Sequence, residues 1–277
     1  MTAALRGVRP VFGYTLRACL PAKRRLGLGV LCLAALGFGL LSHTISGDRN
    51  HAFMQVASAA LFPLVLPLAG LVVGDAVLGA EVRAGTFHFT WLSPVSTTAI
   101  AIGRWAAGTL LLTVTLGPSF FLAALLANSP RSAGAAALGA ITGGAAYVAL
   151  FLCIGVLVRR AAIVSLAVVF LGERLLGGVL TGIAQLSPMW EARAVLTGLG
   201  PAPKALAAVL PPPSFLPPGG PQGPFSGPPV TVRIESFHRA GIPDGWGAVI
   251  RLAIITIVVL VVAVRRLRRI KLAGATD

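Results

Sequence analysis

Acidic residues are scarce in this chain: eight Asp and Glu stand among 277 residues, and charges of both signs make up only 11%. A soluble domain carries about 25% charged residues, so this composition excludes an ordinary water-soluble fold. With so few carboxylates, a catalytic pair on one side of a membrane is hard to assemble. Cysteine is equally sparse. Cys19, Cys32 and Cys153 form no paired framework, and the scattered His43, His51, His88 and His238 make no ligand cluster, so nothing points to a disulfide or a metal site. Also missing are a Gly-x-x-x-x-Gly-Lys-[Ser/Thr] loop to cradle nucleotide phosphates, a His-Glu-x-x-His zinc helix and a Gly-x-Ser-x-Gly elbow. The reading is therefore no catalytic residue, no metal and no cofactor in this chain. No repeat unit relates its two halves, which argues against an inverted-repeat secondary transporter.

What the chain has is apolar length. It is 56% hydrophobic, with mean hydropathy +0.87. Its apolar residues come in blocks of about twenty, enough to cross ~30 Å of hydrocarbon as a helix. This predicts an all-α polytopic membrane protein: an N-terminal interfacial helix plus six transmembrane helices. The richness in Ala, Gly, Arg and Pro suggests a GC-rich bacterial genome, and hence a bacterial plasma membrane. The formal charge of +15 could suggest a nucleic-acid partner. The basic residues instead cluster at the ends of apolar blocks, as a topology signal does, so no nucleic acid is expected.

Residues 1–25 hold six basic residues and no acid. Val8, Phe12, Leu16 and Cys19/Leu20 recur there at helical spacing, predicting a short helix on the membrane surface between Pro10 and Pro21. A cleaved signal peptide is disfavoured, since no small-x-small site follows Leu41. Residues 26–186 read as five spans, about Leu26–Ser42, Phe53–Gly74, Ala99–Leu126, Ala133–Val158 and Ala161–Leu186. Pro63 and Pro67 should kink the second. Residues 187–245 form an external loop holding thirteen of the twenty prolines. Its centre, Pro211–Pro229, should be extended or disordered, and its flank from Trp190 to Leu210 suits an amphipathic helix resting on the outer face. Residues 246–264 are the sixth span, and 265–277 a basic tail.

Counting Lys and Arg near the short loops places fifteen on one side, against Arg49 and Arg131 on the other. Both termini are thus expected to be cytoplasmic. Trp91 and Trp105 then fall at the inner interface, Trp190 and Trp246 at the outer one. In the fourth span Ala135, Gly139 and Gly143 form a small-residue stripe for close helix packing, although a Gly-rich composition also produces such stripes. Glu173 and Arg174 are read as the charged pair inside a span. Three readings stand for them: structural pairing, a transport path, or a fifth span that ends early.

The segment between the second and third spans, residues 75–98, carries charge, glycine and proline that lipid cannot accommodate. Glu81, Arg83, Gly85-Thr86 and Pro94-Val95-Ser96 punctuate it, followed by Gly103-Arg104. Phe87 and Trp91 would share a helical face, suited to a partner's groove or to the bilayer surface. This wording resembles the cytoplasmic docking segment of type-2 ATP-binding-cassette (ABC) exporter permeases, differing from the usual pattern at Phe87 and Thr97. The resemblance implies a permease subunit with docking residues Glu81, Arg83, Gly85, Thr86, Phe87, Trp91, Pro94 and Ser96. Its partners would be a separate ABC-type ATPase, which would hold the ATP and magnesium, and a second copy or sister permease. A secondary transporter or channel, and a non-transport assembly or immunity factor, are the alternatives.

Overall fold

The computed structural model describes residues 7–45, 48–79, 95–158, 161–171, 186–201 and 245–273. All regular structure among them is helical. Helix α1 is Val8–Ala18 and α2 Ala22–Leu41. Next come α3 (Arg49–Val56), a π-helical stretch Ala57–Val65, α4 (Leu66–Gly74) and a π-helical turn Asp75–Gly79. Then follow α5 (Thr97–Leu126), α6 (Pro130–Leu157) and α7 (Ala161–Ala167). The last described helices are α8 (Pro188–Leu199) and α9 (Gly245–Ala273).

Five helical stretches are long and apolar enough to cross a membrane: Ala22–Thr44, Arg49–Val77, Thr97–Leu126, Pro130–Leu157 and Gly245–Arg269. These make the chain a multi-pass membrane protein by length and composition. The expected fifth span is described as the shorter apolar helix Ala161–Leu171. Glu173 and Arg174 lie outside the described residues.

Local chemistry sets the boundaries. The second span starts at Arg49, earlier than expected, because Asp48 caps it by accepting from the His51 N–H at 3.3 Å. Pro63 does not break this span. It lies in the π-helical stretch, where the Leu66 N–H reaches the Leu61 carbonyl five residues back. The wider turn absorbs the donor and the room that a proline ring removes from an α-helix. At the same end of the bundle, Ser129 Oγ stands 2.7 Å from Asn50 Oδ1 and 2.8 Å from Ser132 Oγ. This ties the α5–α6 turn to the start of α3.

Helix α6 is the hub, and α4, α5, α8 and α9 all pack on it. Its apolar window is 67% buried, against 22% for the windows in α2 and α9, so those two form the periphery. The α4–α6 contact sets large knobs into glycine hollows. A Cβ on Gly70 would stand 2.8 Å from Tyr147 Cβ, and one on Gly74 would stand 2.5 Å from Phe151 Cβ. Tyr147 and Phe151 stack with centroids 5.6 Å apart. Both partners recur at a four-residue step, so two helical faces interlock along one line.

Three expectations need correction. Pro10 does not bound α1 but sits within its first turn, where no intrahelical N–H is needed. The buried face of α1 centres on Thr15 and Cys19, while Leu20 is exposed. At the start of α1, Gly103 of α5 allows a close approach, since a Cβ there would lie 3.0 Å from the Val8 carbonyl and 3.1 Å from Val11 Cβ. Trp105 reaches across to α6, its indole N–H donating to the Ala145 carbonyl at 3.0 Å.

The third correction concerns the outer flank. It is a helix from Pro188 to Leu199, and it is not laid on a surface. Pro188, Met189, Glu191, Ala192 and residues 194–197 are all buried, between α6 and α9. A Cβ on Gly143, midway along α6, would lie 2.7 Å from Ala192 Cβ and 3.8 Å from the Pro188 carbonyl. One on Gly139 would lie 2.7 Å from the Ala192 carbonyl. At the far end, Gly245 meets Leu199 and Gly200 meets Met54. Helix α8 thus rises from mid-depth to the end where α9 begins.

Gly74→Ala should lower stability in detergent by about 1–3 kcal/mol, since Phe151 leaves no room for a methyl. Gly29→Ala on α2 meets nothing within 4 Å. It should leave stability unchanged or raise it by up to ~1 kcal/mol through helix propensity. Thermal unfolding of the two variants side by side checks both.

Candidate docking junction

The residues that resemble a docking segment divide sharply in what the structure describes. Glu81, Arg83, Gly85, Thr86, Phe87, Trp91 and Pro94 lie outside the described residues. Both ends of the segment are described, and they converge. On one side the π-helical turn Asp75–Gly79 closes the second span. On the other, Ser96 caps α5, its side chain accepting from the Ala99 N–H at 3.1 Å. A serine three residues ahead of an apolar run is a readable cap, so Ser96 holds a structural role beside its candidate docking role.

Gly103 and Arg104 join these ends. Gly103 admits α1 against α5. The Arg104 side chain, only 2% exposed, sends an Nη1–H bond of 2.6 Å to the Val77 carbonyl in the π-helical turn. That carbonyl lies at the C-terminal end of a helix, where the partial charge is negative and a cation is favoured. Arg104 therefore pins the exit of the second span to the third span, three residues before the undescribed segment begins. Gly7 completes the contact from α1. Its φ of 103° suits glycine, and a Cβ there would stand 2.9 Å from Val95 Cγ1. Two further contacts hold this end: Arg24 Nη1 donates to the Ala18 carbonyl at 2.8 Å, and Arg268 Nη2 to Thr98 Oγ1 at 3.2 Å.

The described part of the junction is basic. Cys19 lies in it, and burial pushes its thiol up to about 11 even though Arg24 and Arg104 pull the other way. It stays protonated near neutrality and is a poor nucleophile. Among the described residues no group of three His, Cys, Asp or Glu could hold a metal ion.

Gly139 and Gly143 form the seat of α8 described above, from which α8 runs toward the opposite end of the bundle. One charged pair there was missed from the sequence. Glu191, fully buried on α8, lies 3.5 Å from Arg251 Nη1 of α9. Arg251 is the seventh residue of a strongly apolar helix, and that position was the available signal. Comparison of the chain with protein-family models and with curated proteins finds no match.

Arg104→Gln should retain the membrane bundle but cost about 1.5–3 kcal/mol, the value of a bond from a charged donor. Arg104→Lys, which keeps a charged donor, should cost less. Unfolding in detergent measures the difference, and equal stability of all three proteins would remove Arg104 from the junction.

Proposed function

We propose that this chain is the membrane-spanning subunit of an ATP-driven exporter of the type-2 ABC kind, working with a separate ATPase subunit in a bacterial plasma membrane. The observation that carries the reading is the convergence at one end of the bundle. Val95, Ser96, Gly103 and Arg104 belong to the motif that resembles the family's. Among the described residues they join α1, the end of the second span and the start of the third. A segment anchored at both ends by such contacts can pass a displacement to two spans at once. A free loop would dissipate it.

On this reading Glu81, Arg83, Phe87 and Trp91 meet the ATPase, and Gly85 and Pro94 shape the turn. The ATP and its magnesium belong to the partner. Nucleotide-driven closure of two ATPases pulls on two such segments, one from each permease copy, and the Arg104–Val77 contact carries that pull into the second and third spans. Both termini lie on the ATPase side.

Two experiments test the proposal. In a cysteine-free background, a cysteine at Gln222 should react with an impermeant maleimide in intact cells and one at Thr276 should not. The reverse pattern would place the docking segment outside. Glu81→Ala and Gly85→Val should leave insertion intact and reduce co-purification of an ATPase from the native operon by about tenfold or more, the effect of ~1.4 kcal/mol lost at an interface. Undiminished co-purification with both variants would make the segment a simple loop.

A further inference from the structure

The pairing of Arg251 with Glu191 is lopsided. Glu191 is wholly buried, whereas 45% of the Arg251 side chain is exposed. One guanidinium nitrogen meets one carboxylate oxygen at 3.5 Å, and Glu191 Oε2 has no hydrogen-bond partner. A guanidinium has five N–H donors in a planar fork. Here it does not offer that fork to the carboxylate two-pronged, and no other described group accepts from it. The helix that carries Glu191 is closely seated: the next residue, Ala192, packs against Gly139 and Gly143.

Arg251 lies on the membrane-crossing helix α9, and its neighbours Ile250 and Ile254 are 60% and 54% exposed. Trp246, 61% exposed, stands five residues nearer the helix start. An exposed tryptophan at a span end marks the headgroup boundary. Five residues are about 7.5 Å of helix, a depth from which arginine reaches back to the interface.

We propose that Arg251 binds the phosphate of a phospholipid headgroup in the leaflet on the α8 side, at the edge where α9 packs against α8. Glu191 compensates the charge from within, and the free edge of the guanidinium takes the phosphate oxygens, a geometry that the planar fork matches. A seated lipid would fasten the outer edge of α8 to the bilayer. This rests on the chain spanning a membrane and not on its being an exporter subunit, so it stands or falls apart from the ATPase.

The test uses the full chain purified in maltoside, with phosphatidylglycerol or diacylglycerol of the same acyl chains added and bound lipid counted by native mass spectrometry. Removing Arg251 alone strands Glu191 in the interior, so the informative variants are Arg251→Lys and the double variant Glu191→Gln/Arg251→Gln, which leaves no unpaired charge. The wild type should bind phosphatidylglycerol about fivefold or more tightly than the double variant, with Arg251→Lys between them. Diacylglycerol should not distinguish the three proteins. Equal phosphatidylglycerol binding by the wild type and the double variant would reduce Arg251 to a counter-ion for Glu191. Displacement of the lipid by excess inorganic phosphate would show that the site takes the free anion, and would overturn the lipid assignment.

Discussion

In hydrocarbon an apolar side chain gains little by leaving lipid for protein, so a bundle of spans is held by how closely its helices can approach. Here the closeness is set along α6. Its buried face is mostly alanine and glycine, broken by Tyr147 and Phe151, and four helices use it. Gly70 and Gly74 of α4 receive its aromatic knobs, and Gly139 and Gly143 admit the backbone of α8. Peripheral α2 has glycines as well, but Gly27, Gly29 and Gly37 have nothing within 4 Å of a built Cβ. Glycine marks a contact in this protein only where another helix arrives.

The few charges are arranged under the same constraint. A buried charge is costly unless it is paired or hydrogen-bonded. Arg104 meets this cost with the Val77 carbonyl at a helix end, and Glu191 with a guanidinium from α9. Each contact crosses between elements far apart in sequence. A charge that must be satisfied thereby becomes a specific link between helices, which apolar packing alone supplies only weakly.

The two ends of the bundle are consequently built differently. At the basic end, α1, the π-helical turn after α4 and the start of α5 close around Gly103 and Arg104. They hold fixed the two ends of the segment that resembles an ATPase docking element. At the other end, α8 fills the space between α6 and α9 from mid-depth outward. On the proposed function, α8 and its seat would have to yield for a path to open at that end, and a pull from a partner would enter at the Arg104 junction. The π-helical stretch around Pro63 lies in the span between them, where backbone hydrogen bonds are already rearranged.

Composition and patterning alone determined that this is a helical multi-pass membrane protein, because blocks of about twenty apolar residues have no other use. They also determined where most spans lie, since basic residues cluster at the ends of apolar blocks, although the Asp48 cap set the start of the second span earlier than the apolar pattern did. The resemblance around Glu81, Gly85 and Pro94 was legible for the same reason: it is a local string. Contacts between distant residues were not legible. The stripe at Gly139 and Gly143 showed that something could come close, but not that it would be α8, because a hollow does not name its occupant. The flank after Ser187 looked amphipathic enough for a surface, and only packing against α6 and α9 drew it inside. Arg104 read as part of the motif that follows the second span, and Arg251 was not singled out. Their partners, Val77 and Glu191, were decided by tertiary structure, because a hydrogen bond between helices depends on rotation and depth that sequence spacing does not encode.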